Sequence, residues 1–285
     1  MQKIYKKLKQ KTDSHQPTSI IEKPMLTSFL VLLVLAVIVL TLSYHYYEED
    51  NYNFVGQVLA EAHGMLFDIA VIGILLVWLR NNGEKRQQIR KYKDEIDDFR
   101  LWESEEAAFR TVGNIKRLNG HKITDINLVN CHLSKTNLSY VVLKGSNINS
   151  ANVSNANMIH CNLENTRLNQ TNFENSNLNQ AEMSYAMANG ANFKDCYMIK
   201  VNLQQAFLIK ANLTNAFLME ADMQGAHLTG TNLENTNLFK ADLRGAIGLT
   251  VEQLSQAKTL YMAKLDPELM EKVKENETCL SLMSR

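Results

Sequence analysis

Between residues 126 and 246 the chain places a large apolar residue at every fifth position. Residues 211–246 show the pattern when divided into fives: ANLTN, AFLME, ADMQG, AHLTG, TNLEN, TNLFK, ADLRG, with Ala or Thr first and a large apolar residue third. A helix repeats about every 3.6 residues and a strand every 2. On an ideal helix a step of five turns by roughly 140°, so no apolar stripe forms. A strict five means that each group occupies an equivalent place in a repeating coil.

The register runs without insertion from Leu128 through Leu133, Leu138 and Leu143 to Leu238 and Leu243, 24 units in all, and Ala188 is the one small centre. Two residues before each centre stands a small residue, as at Cys131, Thr136, Ala151, Cys161 and Ala241, with Ile126, Val141 and Val201 the bulkier exceptions. Just before the centre comes most often Asn, as at Asn127, Asn137, Asn147, Asn152 and Asn157. The pattern predicts an all-β solenoid. Two side chains in five, one large and one small, point inward. The other three face water, and Asn suits the tight turns because its side chain bonds nearby backbone.

These residues resemble the pentapeptide-repeat family, whose pattern is A(D/N)LxX, over residues 126–246. The resemblance implies a right-handed quadrilateral β-helix with four pentapeptides per coil, hence about six coils and a rod of roughly 25–30 Å. Both ends of such a rod need covering, because they expose open edges. Residues 103–122 are expected to form an N-terminal cap helix, with Phe109, Val112 and Ile115 on one side. Residues 250–285 resemble the family's C-terminal cap: a short helix from Val251, a strand-like TLYMAKL, then a helix that starts at Asp266 and Pro267. The repeat body occupies 123–249.

The N-terminal half has a different pattern. Residues 25–47 open with 19 residues, Met25 to Ser43, that carry no charge, long enough to span a bilayer. Residues 54–79 form a second apolar stretch, and Tyr44, Tyr46, Tyr47 and Trp78 stand where an interfacial aromatic belt belongs. A cleaved signal peptide is the alternative for the first stretch. Its lead is long, its apolar run exceeds a usual signal core, and no A-x-A site follows. Lys3, Lys6, Lys7, Lys9, Lys11 and Lys23 precede the first span. The connecting loop 48–53 has no Lys or Arg, and Arg80, Lys85, Arg86, Arg90, Lys91 and Lys93 follow the second span. This distribution predicts an inner-membrane hairpin with the basic segment 1–24 and the solenoid both cytoplasmic. In the linker 80–102, Ile89, Tyr92, Ile96 and Phe99 at 3-4-3 spacing fit either a short coiled coil or an amphipathic helix lying on its own domain. The segment DEIDDFRLWESEEAAFRTVGNIKRLN also resembles bacterial membrane-anchored pentapeptide-repeat proteins, a likeness that carries no activity with it.

Composition changes this picture little: net charge is zero and hydrophobic residues make up 45%. Cys131, Cys161 and Cys196 take the small inward position, where a reduced thiol packs as a small apolar group; Cys279 stands alone. With no C-x-x-C, no catalytic motif, no phosphate loop and no cleft in a stacked coil, no enzyme activity, cofactor or metal is expected. Over residues 123–247 nine acids face eight bases. Neither DNA mimicry by a strongly negative rod, as in family members that protect topoisomerase, nor nucleic-acid binding by a basic face fits that balance.

Two candidate surfaces remain. Adding 20, one coil, stacks Tyr197, Ile199, Phe217, Met219 and Phe239 on one wall, an apolar column of the kind that marks interfaces. Met187, Phe207 and Ile209 fall on the opposite wall. In the second apolar stretch Gly56, Ala60, Gly64 and Asp68 lie four apart, beside Glu61 and His63. This is either a helix-packing face or an ion-sensitive site at Asp68. The expected function is a non-enzymatic membrane scaffold, with a lipid bilayer, further copies of the chain and a protein as partners. Sensing or ion coupling through Asp68 is the alternative.

Overall fold

The computed structural model describes residues 24–47 and 54–284. The expected basic N-terminus up to residue 23 and the loop 48–53 lie outside them. The chain divides into two units, Met1–Gln88 and Ile89–Arg285.

The first unit holds α1 (Pro24–Tyr47) and most of α2 (Phe54–Asp98). Apolar side chains along both are largely exposed, with Val31 at 61% and Phe67 at 70%. Thr41 donates its hydroxyl back to the carbonyl of Val37 at 2.7 Å, which satisfies a polar group inside an apolar helix. Among the described residues one helix, Ala60–Asp98, is long and apolar enough to cross a membrane. In α1 the apolar stretch among the described residues is Leu30–Thr41. α2 runs as one helix from Phe54 to Asp98, through residues 79 and 80.

The second unit is a solenoid. Parallel bridges join each residue before a centre to the residue 20 further on, from Asn127↔Asn147 to His227↔Ile247, without a slip. Six such steps separate Asn127 from Ile247, a height of about 29 Å at strand spacing. The coils hold no extended strand among the described residues; each wall contributes one bridged residue and then turns. In almost every unit the amide three residues after a centre closes back on that centre's carbonyl, as Cys131 N does on Leu128 O at 3.0 Å. The second turn residue is left-handed, with φ near +57° at Asn130, Lys135, Gln170 and Lys200 among others. An L side chain there costs on the order of 1 kcal/mol, least for Asn and absent for Gly. That cost is outweighed because each turn also sends an amide to the next coil, as Asn130 N to Asn149 O at 3.1 Å.

Every centre from Leu128 to Leu243 is buried, as are the small inward residues. Phe173 and Phe193 stack in the core with ring centroids 4.9 Å apart. Ala188, the small centre, is fully buried, as are Leu168 and Leu208 at the same place one coil below and one coil above. Inward Thr and Ser are satisfied by carbonyls of the coil below: Thr166 Oγ1 donates to Leu143 O at 2.9 Å and Ser176 Oγ to Val153 O at 2.7 Å.

Two helices close the N-terminal end. Ile89, Tyr92 and Ile96 on the last turns of α2 pack against the solenoid core, with Ile96 1% exposed. These three residues of the stripe face their own domain, as the reading of an amphipathic helix expects. The helix α3 (Glu105–Gly120) starts at Ser104, whose Oγ accepts from Ala107 N at 3.1 Å. It buries Ala107, Ala108, Val112, Ile115 and Leu118, but Phe109 stands 60% exposed. The paired alanines set the contact face, and Phe109 lies off it. Finally, the Asn119 amide imitates a missing strand: its Nδ2 donates to Val142 O at 2.8 Å and its Oδ1 accepts from Val142 N at 2.9 Å.

At the other end α4 (Val251–Ser255) is capped reciprocally by Thr250 and Gln253. The segment expected as a strand instead forms a further partial coil, with bridges Asn237↔Thr259 and Asp242↔Lys264 offset by 22 rather than 20. Two helices, α5 (Pro267–Glu275) and α6 (Glu277–Met283), complete the cap. Asp266 precedes Pro267 but does not cap α5 with its side chain; its carboxylate accepts from Gly245 N at 2.8 Å, tying cap to solenoid.

The buried centres Ala188 and Phe193 give a test. Ala188→Leu should cost about 1–3 kcal/mol by overpacking, and Phe193→Leu should also destabilise. Chemical denaturation reads both losses.

Candidate interaction surface

The walls follow from the five-residue unit. In each unit the residues before and after the centre face outward, and the second turn residue forms a corner. The unbroken 20-residue register then stacks like positions into columns.

On the wall centred on Met198, Leu218 and Leu238, Tyr197 and Phe217 stack at 5.0 Å with ring planes 3° apart. Tyr197 is 47% exposed, and Ile199, Phe217, Met219 and Phe239 are half-buried, flanked mainly by one another. The column extends into the cap, where Tyr261 stacks on Phe239 at 5.9 Å. Tyr261 is not evident as a member from the sequence, because the cap coil is offset by two residues. Lys240 Nζ sits 5.0 Å from the Phe239 ring centroid. At the corner, Lys200 Nζ and Glu220 Oε2 lie 3.5 Å apart.

The opposite wall carries Met187, Phe207, His227 and Ile247 in its bridged column, with Phe207 and His227 rings 4.4 Å apart. The two remaining walls are polar. One is a ladder of Asn152, Asn172, Asn192, Asn212 and Asn232, in which Asn192 Nδ2 donates to Asn172 Oδ1 at 3.0 Å and Asn212 Nδ2 to Asn192 Oδ1 at 3.2 Å. The other places Glu182, Asp222 and Asp242 in line. Opposite charges one coil apart pair across the surface, Lys144 with Glu164 at 2.7 Å and Lys194 with Glu174 at 3.6 Å. The rod is therefore charge-balanced locally as well as in sum.

Near the C-terminal end Asp242 accepts from Arg244 Nη2 at 2.7 Å and from Lys264 Nζ at 3.2 Å. The Arg244 hydrogen bond is the main reason its carboxyl titrates at about 2, below its ordinary 3.8. The cysteines in the coils are inert: burial pushes Cys131 up to about 11 and Cys161 and Cys196 up to about 12. Cys196 donates its thiol to Phe173 O at 2.8 Å. Among the described residues no group of His, Cys, Asp and Glu could hold a metal.

In α2, Ala60, Gly64 and Asp68 are exposed along one strip, Glu61 is exposed and His63 is half-buried. A Cβ added to Gly64 would meet open space. Gly56 lies in α2, outside the residues whose side-chain surroundings are described.

The model of a family described as pentapeptide repeats matches this chain in 8 copies, over residues 126–165, 156–195, 183–215, 196–235 and 216–247. The chain is similar to a pentapeptide repeat protein from the Arabidopsis thaliana thylakoid lumen, at 24% identity over 36% of this chain and 71% of that one, with a TM-score of 0.35. It is similar to HetL, a pentapeptide repeat protein involved in heterocyst differentiation regulation in a Nostoc cyanobacterium, at 24% identity over 49% and 70%, TM-score 0.25. It is also similar to QnrB1, a plasmid-mediated fluoroquinolone resistance protein, at 18% identity over 52% and 87%, TM-score 0.30. No curated protein matches. The repeat model and the coils of the second unit together support a pentapeptide-repeat solenoid.

Asp242 makes the cap end sensitive to acid. A group whose folded pKa is depressed contributes stability above its ordinary pKa and loses it as pH falls through the folded value. Thermal unfolding should show stability falling between about pH 3.8 and 2. Asp242→Asn should be less stable at neutral pH and flatter across that window.

Proposed function

We propose that this chain is a non-enzymatic scaffold, held in a bacterial inner membrane by its two N-terminal apolar helices, that presents a rigid pentapeptide-repeat solenoid to protein partners in the cytoplasm. The observation that carries this reading is the column Tyr197, Ile199, Phe217, Met219 and Phe239. These apolar side chains sit at coil spacing on a surface otherwise rich in Asn ladders and paired charges. Rigid aromatics lose little entropy on binding and are common anchors of interfaces. The stacked coils fix their spacing, so recognition rests on geometry.

The anchor is supported by Ala60–Asp98, a helix of spanning length and composition with its apolar side chains exposed. The first apolar helix would complete a hairpin, and the basic residues after position 79 would hold both ends of the chain on the cytoplasmic side. Partners on this reading are the bilayer and a protein docked on the column, whether a further copy of the chain or a different one, and the balanced charge argues against nucleic acid. The packing strip of Ala60, Gly64 and Asp68 would lie in the membrane, where small residues allow close helix approach.

The test is crosslinking of the tagged chain in its native membrane, with identification by mass spectrometry, beside a Phe217→Ser/Phe239→Ser variant. Both residues are only half-buried, so the variant should still fold. A distinct crosslinked band lost in the variant is the expected result. An unchanged crosslinking pattern would remove the column as a docking face.

A further inference from the structure

The column wall is self-complementary in charge. Its corner carries Lys200 and Glu220 one coil apart, with side chains 54% and 44% exposed. Place a second copy face to face on this wall, antiparallel, with the two-fold axis between these two coils. Each Lys200 then meets Glu220 of the other copy, and each Glu220 meets Lys200. Tyr197 meets Phe217, and Ile199 meets Met219, each pair occurring twice. Opposite charges and aromatic pairs thus repeat across the axis, as an isologous interface requires.

Other registers are poorer. An axis through the Phe217 coil sets Glu220 against Glu220 and Lys200 against Lys240. A parallel arrangement, with the axis along the rod, sets Lys200 against Asp195, whose carboxylate already accepts from Asn215 Nδ2 at 2.8 Å. It also sets Glu220 and Lys240 against the neutral Asn215 and Asn235.

We infer that the wall bearing Tyr197, Ile199, Lys200, Phe217, Met219 and Glu220 docks a second copy of this chain, antiparallel, across a two-fold axis between those coils. The inference rests on the membrane-anchored reading above, because six residues a side fall short of the roughly 20–30 of a stable interface. Confinement to one membrane supplies what the contact lacks, raising the effective concentration of a second copy to on the order of millimolar.

The test uses the full chain in vesicles of phosphatidylcholine and phosphatidylglycerol, with energy transfer between fluorophores on separate copies. Lys200→Glu alone and Glu220→Lys alone place like charges across the axis, so each should lower pairing by roughly ten-fold. A mixture of the two variants should restore it, since the carboxylate introduced at position 200 of one chain would then face the ammonium introduced at position 220 of the other. Both variants have lost the internal Lys200–Glu220 pair, so recovery in the mixture reports only the contact between copies. Reversing Lys144 and Glu164, a pair 2.7 Å apart on a polar wall, should change nothing. Singles that pair as well as the parent, or a mixture that does not recover, would overturn the inference. If those results came with a column-dependent crosslink to a different protein, the scaffold reading would stand and self-docking alone would fall. A chain that the vesicles fail to retain would instead remove the anchored reading and this inference with it.

Discussion

Backbone hydrogen bonds between successive coils carry the structure. From Leu128 to Leu228 each centre amide reaches the carbonyl 19 residues ahead, as Leu128 N to Asn147 O at 2.7 Å. Each amide before a centre reaches back 21, as Asn147 N to Ile126 O at 3.1 Å. This pairing fixes the coil at 20 residues and therefore forces a corner every five. Each corner demands a left-handed residue, which explains why Lys, Gln, His and Tyr occupy a backbone region that costs them free energy. The same constraint sets the core. Two inward side chains per five, one large and one small, must fill a square prism, and every centre from Leu128 to Leu243 is buried.

A ladder that repeats must also be ended, and the two ends are handled differently. At the N-terminal end side chains imitate a missing coil: Asn119 on Val142, and Arg100 Nη1 on Val129 O at 2.7 Å. At the C-terminal end the backbone itself continues with a two-residue offset and is then covered by helices, with Leu260 N donating to Leu282 O at 2.9 Å. Because each coil touches only its neighbours, these caps matter as much as any coil within the stack.

The repeat is legible because its signal is long and strict. Period five, the alternation of large and small inward residues, and Asn before each centre all translate into coordinates. The Asn reading holds in detail: Oδ1 of Asn162 accepts from Glu164 N at 2.9 Å, and Asn172, Asn177, Asn212 and Asn232 do the same. What cannot be read lies where the period breaks. Tyr261 joins the column only through the offset cap coil. Asp266 looks like a helix cap but bonds Gly245, a long-range contact that no local pattern encodes. Phe109 falls off the face expected for it, because an apolar residue on a short helix does not reveal which face its neighbours cover. The stripe on α2 is ambiguous in sequence because a/d spacing serves a partner helix and a solenoid end equally well.

The surface follows from the same constraint. Outward positions are free of packing demands, so two walls are filled by Asn ladders and paired charges, while the two between them keep stacked rings, Tyr197 on Phe217 and Phe207 on His227. That contrast, joined to a helix of spanning length, makes a membrane-held docking rod the account that uses both halves of the chain. The most direct measurement is alkaline extraction of membranes from cells that make the full chain. The account predicts that the chain stays in the membrane pellet, as an integral protein does. Quantitative release into the soluble fraction would contradict it.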